Sequence, residues 1–201
     1  LAGALAWAGA PPIPPLVEQA RRHLRAAIAS QRAGSSRGVL HWADLVASWG
    51  AEAQPAVPEL LAAIPYAPIH SARGLAACGA TEAVQPLAEA MEGAYSPYLV
   101  ACSLTELTAD GSWCERAWDS ANSKKELIRT WAVHPTPGLH PALRSLVTGR
   151  AAESWPGQRE QLAAIEILGA DDADVRQTLE AIVQRQGEPA TEAARILDRL
   201  G

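Results

Sequence analysis

Residues Ala72 to Met91 read ARGLAACGATEAVQPLAEAM, and this stretch decides the fold. Ala72, Leu75 and Cys78 fall at helical spacing before Gly79, and Val84, Leu87, Ala88 and Met91 do so after it. The spacing predicts the end of one helix, a tight break at Gly79 and the start of the next. A glycine suits the left-handed residue that closes a helix, because it has no Cβ to clash there.

The same phrase returns along the chain. Aligned on Gly9, Gly50, Gly79, Gly169 and Gly201, the residue four before each is Leu5, Val46, Leu75, Ile165 and Leu197. The residue just before each is Ala8, Trp49, Cys78, Leu168 and Leu200. Positions −4 and −1 share one helix face, so each helix buries one stripe and then stops. The intervals from Gly50 to Gly79 and from Gly169 to Gly201 are both about 30 residues, within the range of helical repeats. Gly111 fits between them, one such interval after Gly79, with Leu104 and Leu107 before it. This period, with two helices per unit, predicts a helical solenoid.

Outward from this stretch, the pattern predicts helices over 15–30, 39–49, 54–64, 68–78, 81–92, 96–109, 126–133, 138–147, 157–168, 173–185 and 189–200. Proline recurs early in the first helix of each pair, at Pro15, Pro58, Pro86 and Pro141. It is tolerated in the first turn, where its missing N–H has no partner to lose, and Pro58 and Pro86 sit where a bend is possible. Residues 113–125 carry only a short helix, broken at Ser120 to Ser123. No segment has the alternation of a strand.

The phrases Gln54-Pro-Ala-Val-Pro-Glu-Leu-Leu-Ala-Ala-Ile64, Ser71-Ala-Arg-Gly-Leu-Ala-Ala-Cys-Gly-Ala80 and Gln161-Leu-Ala-Ala-Ile-Glu-Ile-Leu-Gly169 resemble bacterial HEAT repeats. The resemblance covers most of the chain and is poorest over 111–135. It implies an all-α, right-handed superhelix of about six antiparallel helix pairs over residues 1–201. Residues 1–10 then form the tail of a preceding repeat and 111–135 a degenerate one, so a fragment of a longer array is expected. In that family the second helices line the concave side and usually hold a partner.

Charge and composition narrow the function. Net charge is −5, which argues against a nucleic-acid binder, since that needs a basic footprint. No run of 18 apolar residues is uninterrupted, so no membrane role is expected. Cys78, Cys102 and Cys114 are odd in number and widely spaced, which fits a reducing, cytoplasmic compartment. No phosphate loop, dinucleotide fingerprint, nucleophile elbow or zinc motif occurs, and neither cofactor nor metal is expected. His23, His41, His70, His134 and His140 include no i,i+4 pair. Glu115 and Asp119 do lie i,i+4, a spacing open to acid–base or cation chemistry but equally to solvated charges, the plainer reading. Asp171, Asp172 and Asp174 read as helix-start acids.

Two candidate surfaces remain. Arg21, Arg22, Arg25, Arg32 and Arg37 form the basic cluster, with Glu18 the one acid between Pro11 and Trp42. Arg21, Arg22 and Arg25 are a candidate patch for an anionic partner, against the alternative of a solvated helix face. In the second helix of each pair, positions −9, −6 and −2 lie opposite the buried stripe. They read His41, Asp44 and Ser48, then His70, Arg73 and Ala77, and lastly Glu192, Arg195 and Arg199. His41 and His70 are expected about 10 Å apart, the packing distance of helices. Such a stripe suits a non-enzymatic scaffold that binds an unidentified protein partner along its groove.

The alternatives are a HEAT-like solenoid enzyme, of DNA glycosylase or phycobilin lyase type, and a regulatory solenoid within a larger protein. The glycosylase type needs a basic groove, against which the acidic balance counts. The chain should show no duplex DNA binding in the micromolar range at physiological salt, measured by fluorescence anisotropy; micromolar affinity there would overturn this reading.

Overall fold

A computed structural model describes residues 14–30, 37–121, 124–148, 166–168, 173–184 and 188–200. Among them there is no strand. The helices are α1 (Pro14–Ser30), α2 (Arg37–Ala47), α3 (Val57–Ala63), α4 (Pro68–Ala77), α5 (Val84–Gly93), α6 (Pro97–Thr108), α7 (Ser112–Ala117), α8 (Lys124–Trp131), α9 (His140–Thr148), α10 (Ala173–Val183) and α11 (Glu188–Leu200). Turns of 3-10 helix at Gly50–Ala56, Thr81–Ala83 and Pro137–Leu139 lead into α3, α5 and α9. No described helix is long and apolar enough to cross a membrane. The expectations placed on Gly9, Arg32, Ile165, Gly169 and Gly201 lie outside the described residues.

The chain divides into two compact units. One comprises Leu1–Ala109 with Asp119–Ala121, the other Asp110–Trp118 with Asn122–Gly201. In the first unit the helices pack in chain order. Pairs form between α1 and α2, α3 and α4, and α5 and α6; α2 also packs on α4, and α4 on α6. The buried stripes carry this order. Leu16, Ala20 and Leu24 line the inner face of α1, Val39, Ala43 and Val46 that of α2, and Ala72 and Leu75 that of α4. The 3-10 turns answer the proline question. Each winds the chain up to a new α-helix, so that Pro58 is second and Pro86 third in its helix. No backbone hydrogen bond is lost to either proline there.

Gly50 (φ +57°) and Gly79 (φ +69°) are left-handed and close α2 and α4, as the register requires. Gly111 does not play this part for α6. Its φ is −66°, and the left-handed residue is Ala109, at φ 55°. Gly111 is a glycine for another reason: a Cβ there would run into the carbonyl oxygen of His134. Counted on the left-handed residues, the step from Gly79 to Ala109 nearly equals the step from Gly50 to Gly79.

Between these stops, the interior is tight. Trp49 and Cys78, both at position −1, are buried. Cys78 Sγ donates to the Gly50 carbonyl at 3.5 Å, and burial pushes its thiol up to about 11. Trp49 Nε1 and Ser71 Oγ are buried and have no hydrogen-bond partner among the described residues. Cys102 and Cys114 are also buried, and none of the three cysteines is in a disulfide.

In the second unit, Val175, Leu179 and Ile182 of α10 pack on Ala193 and Ile196 of α11, with Leu168 alongside. Elsewhere in that unit Trp131 is fully buried at the end of α8. Its Nε1 donates to Thr136 Oγ1 at 3.2 Å, and Thr136 Oγ1 donates in turn to Glu115 Oε1. The Gly138 N–H reaches the same oxygen at 3.0 Å. One carboxylate on α7 thus holds the proline-broken connection after α8. At the start of α7, Asp110 accepts from the Ser112 N–H at 2.9 Å and from its hydroxyl at 2.8 Å. These bonds hold the Asp110 carboxyl below its usual range.

Two substitutions test the register. Leu75 is fully buried, and Leu75→Ala should cost about 2–5 kcal/mol in denaturant unfolding. Ala109→Gly should stabilise by up to about 1 kcal/mol, because it removes the steric cost of a left-handed alanine. A loss below roughly 1 kcal/mol for the first would mean the register is wrong.

Candidate functional site

The second helices of the first unit, α2 and α4, run parallel and side by side. Asp44, late in α2, meets His70 in the first turn of α4, and Gly50 meets Cys78 just past their ends. Their inner faces are closed by small residues. An added Cβ at Gly74 would lie 3.1 Å from both methyls of Leu60 and 3.6 Å from the Ala43 carbonyl. The packing of α4 against α2, α3 and α6 leaves one stripe of α2 and one of α4 to solvent.

That stripe is the set of positions −9, −6 and −2. His41, Asp44, Ser48, Arg73 and Ala77 are exposed, and His70 is half-buried. The two helices are joined across it by His70 Nδ1 and Asp44 Oδ1, 2.7 Å apart, with side chains 29% and 49% exposed. The contact of His70 is therefore with Asp44, one turn on from His41. His41 instead lies edge-on to Trp42, with ring centroids 5.2 Å apart, and His23 of α1 stacks on Trp42 at 4.5 Å. Ser48 Oγ donates to the Leu45 carbonyl at 2.6 Å. Arg73 forms no ion pair with a described residue.

The stripe stops at α6. Counted from Ala109, positions −9 and −6 are Val100 and Ser103, and both are buried. In the second unit Arg195 and Arg199 of α11 are exposed and converge on one acid. Arg199 Nη1 lies 2.6 Å and Arg195 Nη2 3.6 Å from Glu166 Oε1. The Glu192 side chain lies outside the described set.

The α1 arginines are tied down more firmly than their sequence implies. Arg21 grips Glu59 of α3 with Nε at 3.0 Å and Nη2 at 3.2 Å, and Glu18 with Nη1 at 2.9 Å. Arg25 reaches both acids at 3.2 Å, and Arg22 reaches Glu18 at 3.2 Å. Three arginines thus face two carboxylates, a net of one positive charge. Glu59 is only 6% exposed, so this is an ion cluster that clamps α1 to α3. The bond to Glu59, opposed by burial, holds Arg21 above its ordinary value. The bond from Arg22 and the surrounding arginines hold Glu18 below the usual carboxylate range.

Glu59 is the residue that sequence reasoning passed over, and Glu115 does not have the solvated role its spacing implied. Glu59 is a lone acid in the apolar run Val57 to Ile64, a signal that something must neutralise it. Of the i,i+4 acids Glu115 and Asp119, Glu115 turns to Thr136 and Gly138. On α7 Arg116 covers the Trp113 ring at 4.5 Å, and Lys124 of α8 covers that of Trp118 at 4.7 Å. Among the described residues, no group of three or more His, Cys, Asp or Glu is placed to hold a metal ion. In comparison with known proteins, no family model, no curated protein and no solved structure matches this chain.

Glu59→Ala should destabilise by about 1–3 kcal/mol, because it strands Arg21 against a buried face. The Glu18 part of the clamp is sensitive to acid. A carboxylate held low contributes above its unfolded value and is lost as pH falls through its folded one. Acid titration of the melting temperature should therefore show the Glu18→Gln variant losing less than the parent chain below the usual carboxylate range. Equal acid sensitivity in both would remove Glu18 from the clamp.

Proposed function

We propose that this chain is a non-enzymatic interaction scaffold, a right-handed solenoid of HEAT-like helix pairs whose second helices hold an extended segment of a protein partner. The observation that carries this reading is the polar stripe on α2 and α4, bridged by His70 and Asp44. Two further features support it. Helix pairs of the first unit stack in chain order, which is how a solenoid exposes one long face. The left-handed stops at Gly50, Gly79 and Ala109 recur at a nearly constant interval, and on α2 and α4 they repeat the same polar positions facing solvent.

The reading assigns partner binding to His41, Asp44, His70 and Arg73 in the first unit, and to Arg195 and Arg199 in the second. The Arg21, Arg22 and Arg25 patch is secondary, since its charge is largely met by Glu18 and Glu59. A photocrosslinking residue placed at Ala77 tests the surface in cells that make the chain. It should trap a discrete protein, while the same residue at exposed Gln85 of α5 should not. Arg73→Glu with Arg195→Glu should abolish the adduct without lowering the melting temperature. Equal trapping from Ala77 and Gln85 would refute the stripe as the docking face.

A further inference from the structure

We infer that the edge on which α4 and α6 begin is a separate docking surface, for a proline-rich segment of a protein partner that carries a basic residue. This goes beyond the α2–α4 stripe and does not depend on it. The chain has three tyrosines, and all of them lie at this edge: Tyr66, Tyr95 and Tyr98. Two occupy equivalent corners. Tyr66 stands two residues before Pro68, the first residue of α4, and Tyr95 two before Pro97, the first of α6. The residue between is buried in both corners and has a similar backbone, Ala67 at φ −149° and ψ 60°, Ser96 at φ −133° and ψ 78°. Beside this pivot the tyrosines reach solvent, with Tyr66 43% and Tyr95 97% exposed. No described residue bonds either phenol. Ile69 and Tyr98, each second in its helix, are half-buried next to them. Large aromatic side chains left open at the same place in two successive helix pairs form one surface rather than scattered exposed residues.

Spacing selects the occupant. α4 and α6 pack side by side, and each begins where its first helix ends, at this edge. Helices in contact lie about 9 Å apart, which sets the two corners at about that distance. A polyproline II segment rises about 3.1 Å per residue with three residues per turn, so its residues i and i+3 share a face about 9 Å apart. Prolines at that interval lie on both rings, and the phenol hydroxyls donate to carbonyls that such a segment leaves unpaired. Charge completes the selection. Leu60 to Ile69 carry no charged residue, and from Ala88 to Thr105 the charges are Glu89 and Glu92 alone. Both are exposed on the last turns of α5, which run into Tyr95, and α5 has no basic residue in its last turn. On α4, His70 is held by Asp44, and Arg73 lies further up the helix, on the stripe that also carries Asp44. The helix dipoles of α5 and α6 oppose one another at the corner, so the two carboxylates set its sign. A lysine or arginine beside the prolines meets Glu92 and the face of Tyr95 together.

The test uses the full chain and three fluorescent peptides. One has proline at every third position and an arginine at one end, the second has glutamine for the arginine, and the third has alanine for every proline. Binding is read by anisotropy. The proline–arginine peptide should bind at least fivefold tighter than the alanine peptide and at least threefold tighter than the glutamine peptide. Tyr66→Ala and Tyr95→Ala should each weaken it at least fivefold without lowering the melting temperature, since both side chains are exposed. Glu92→Gln should abolish the preference for arginine over glutamine. Val133→Ala, which trims an exposed apolar side chain elsewhere, should change the affinity less than twofold, and so should Arg73→Glu. Absence of saturable binding at millimolar peptide overturns the proposal, as does equal binding of any two of the three peptides. It is also overturned if Arg73→Glu abolishes binding while both tyrosine variants retain it, which would place the peptide on the α2–α4 stripe.

Discussion

The approach of α4 to its neighbours is the constraint on which the first unit depends. Gly74 sits in the middle of α4, where a glycine costs about 1 kcal/mol relative to alanine. It is there because Leu60 of α3 and the Ala43 carbonyl of α2 occupy the space a side chain would need. Ser71 and Ala72, one turn earlier, are fully buried and equally small. Small residues on this face let α4 lie against α2, and that proximity puts the Gly50 carbonyl within reach of Cys78 and Asp44 within reach of His70. The hydroxyl of Ser71 has no partner among the described residues, nor does the indole N–H of Trp49. Apolar burial and close contact there outweigh two unmade hydrogen bonds.

Local signals in the sequence read well because they act locally. A left-handed residue must end a helix within one turn, so Gly50 and Gly79 announce the ends of α2 and α4 by themselves. Helix ends and proline positions follow from the same short-range sterics. The reading failed at Gly111 for a reason that is not local. Its glycine answers to the carbonyl of His134, beyond the whole of α7 and α8, while Ala109 takes the left-handed conformation without any signature in its side chain. A residue type that serves two purposes can be assigned to the wrong one until the distant partner is known.

The candidate site divides along the same line. Exposure of His41, Asp44, Arg73 and Ala77 was legible, because helical angle alone places positions −9, −6 and −2 opposite the stripe at −4 and −1. The pairings were not. Arg21 and Glu59 lie far apart in the chain, and so do His70 and Asp44. Nothing short of the packing of α1 on α3 and of α4 on α2 could choose those partners. This matters for function, because pairing decides which charges remain available. By counting arginines alone, α1 carries the densest positive charge; the packing sets those arginines against Glu18 and Glu59.

The position nine before the left-handed stop reads His41, His70 and then Val100. Position −4 in the same helices reads Val46, Leu75 and Thr105, and all three are fully buried. The buried position accepts even a threonine, because the backbone and neighbouring helices already enclose it. At −9 the change from histidine to valine follows exposure, from half-open on α4 to closed on α6. In a proposed array whose flanks are consumed by neighbours, polarity at −9 is thus free to vary only where solvent or a partner reaches it. The chemistry of that one position, read after the stops are correctly placed, marks how far along the first unit this face stays open to solvent.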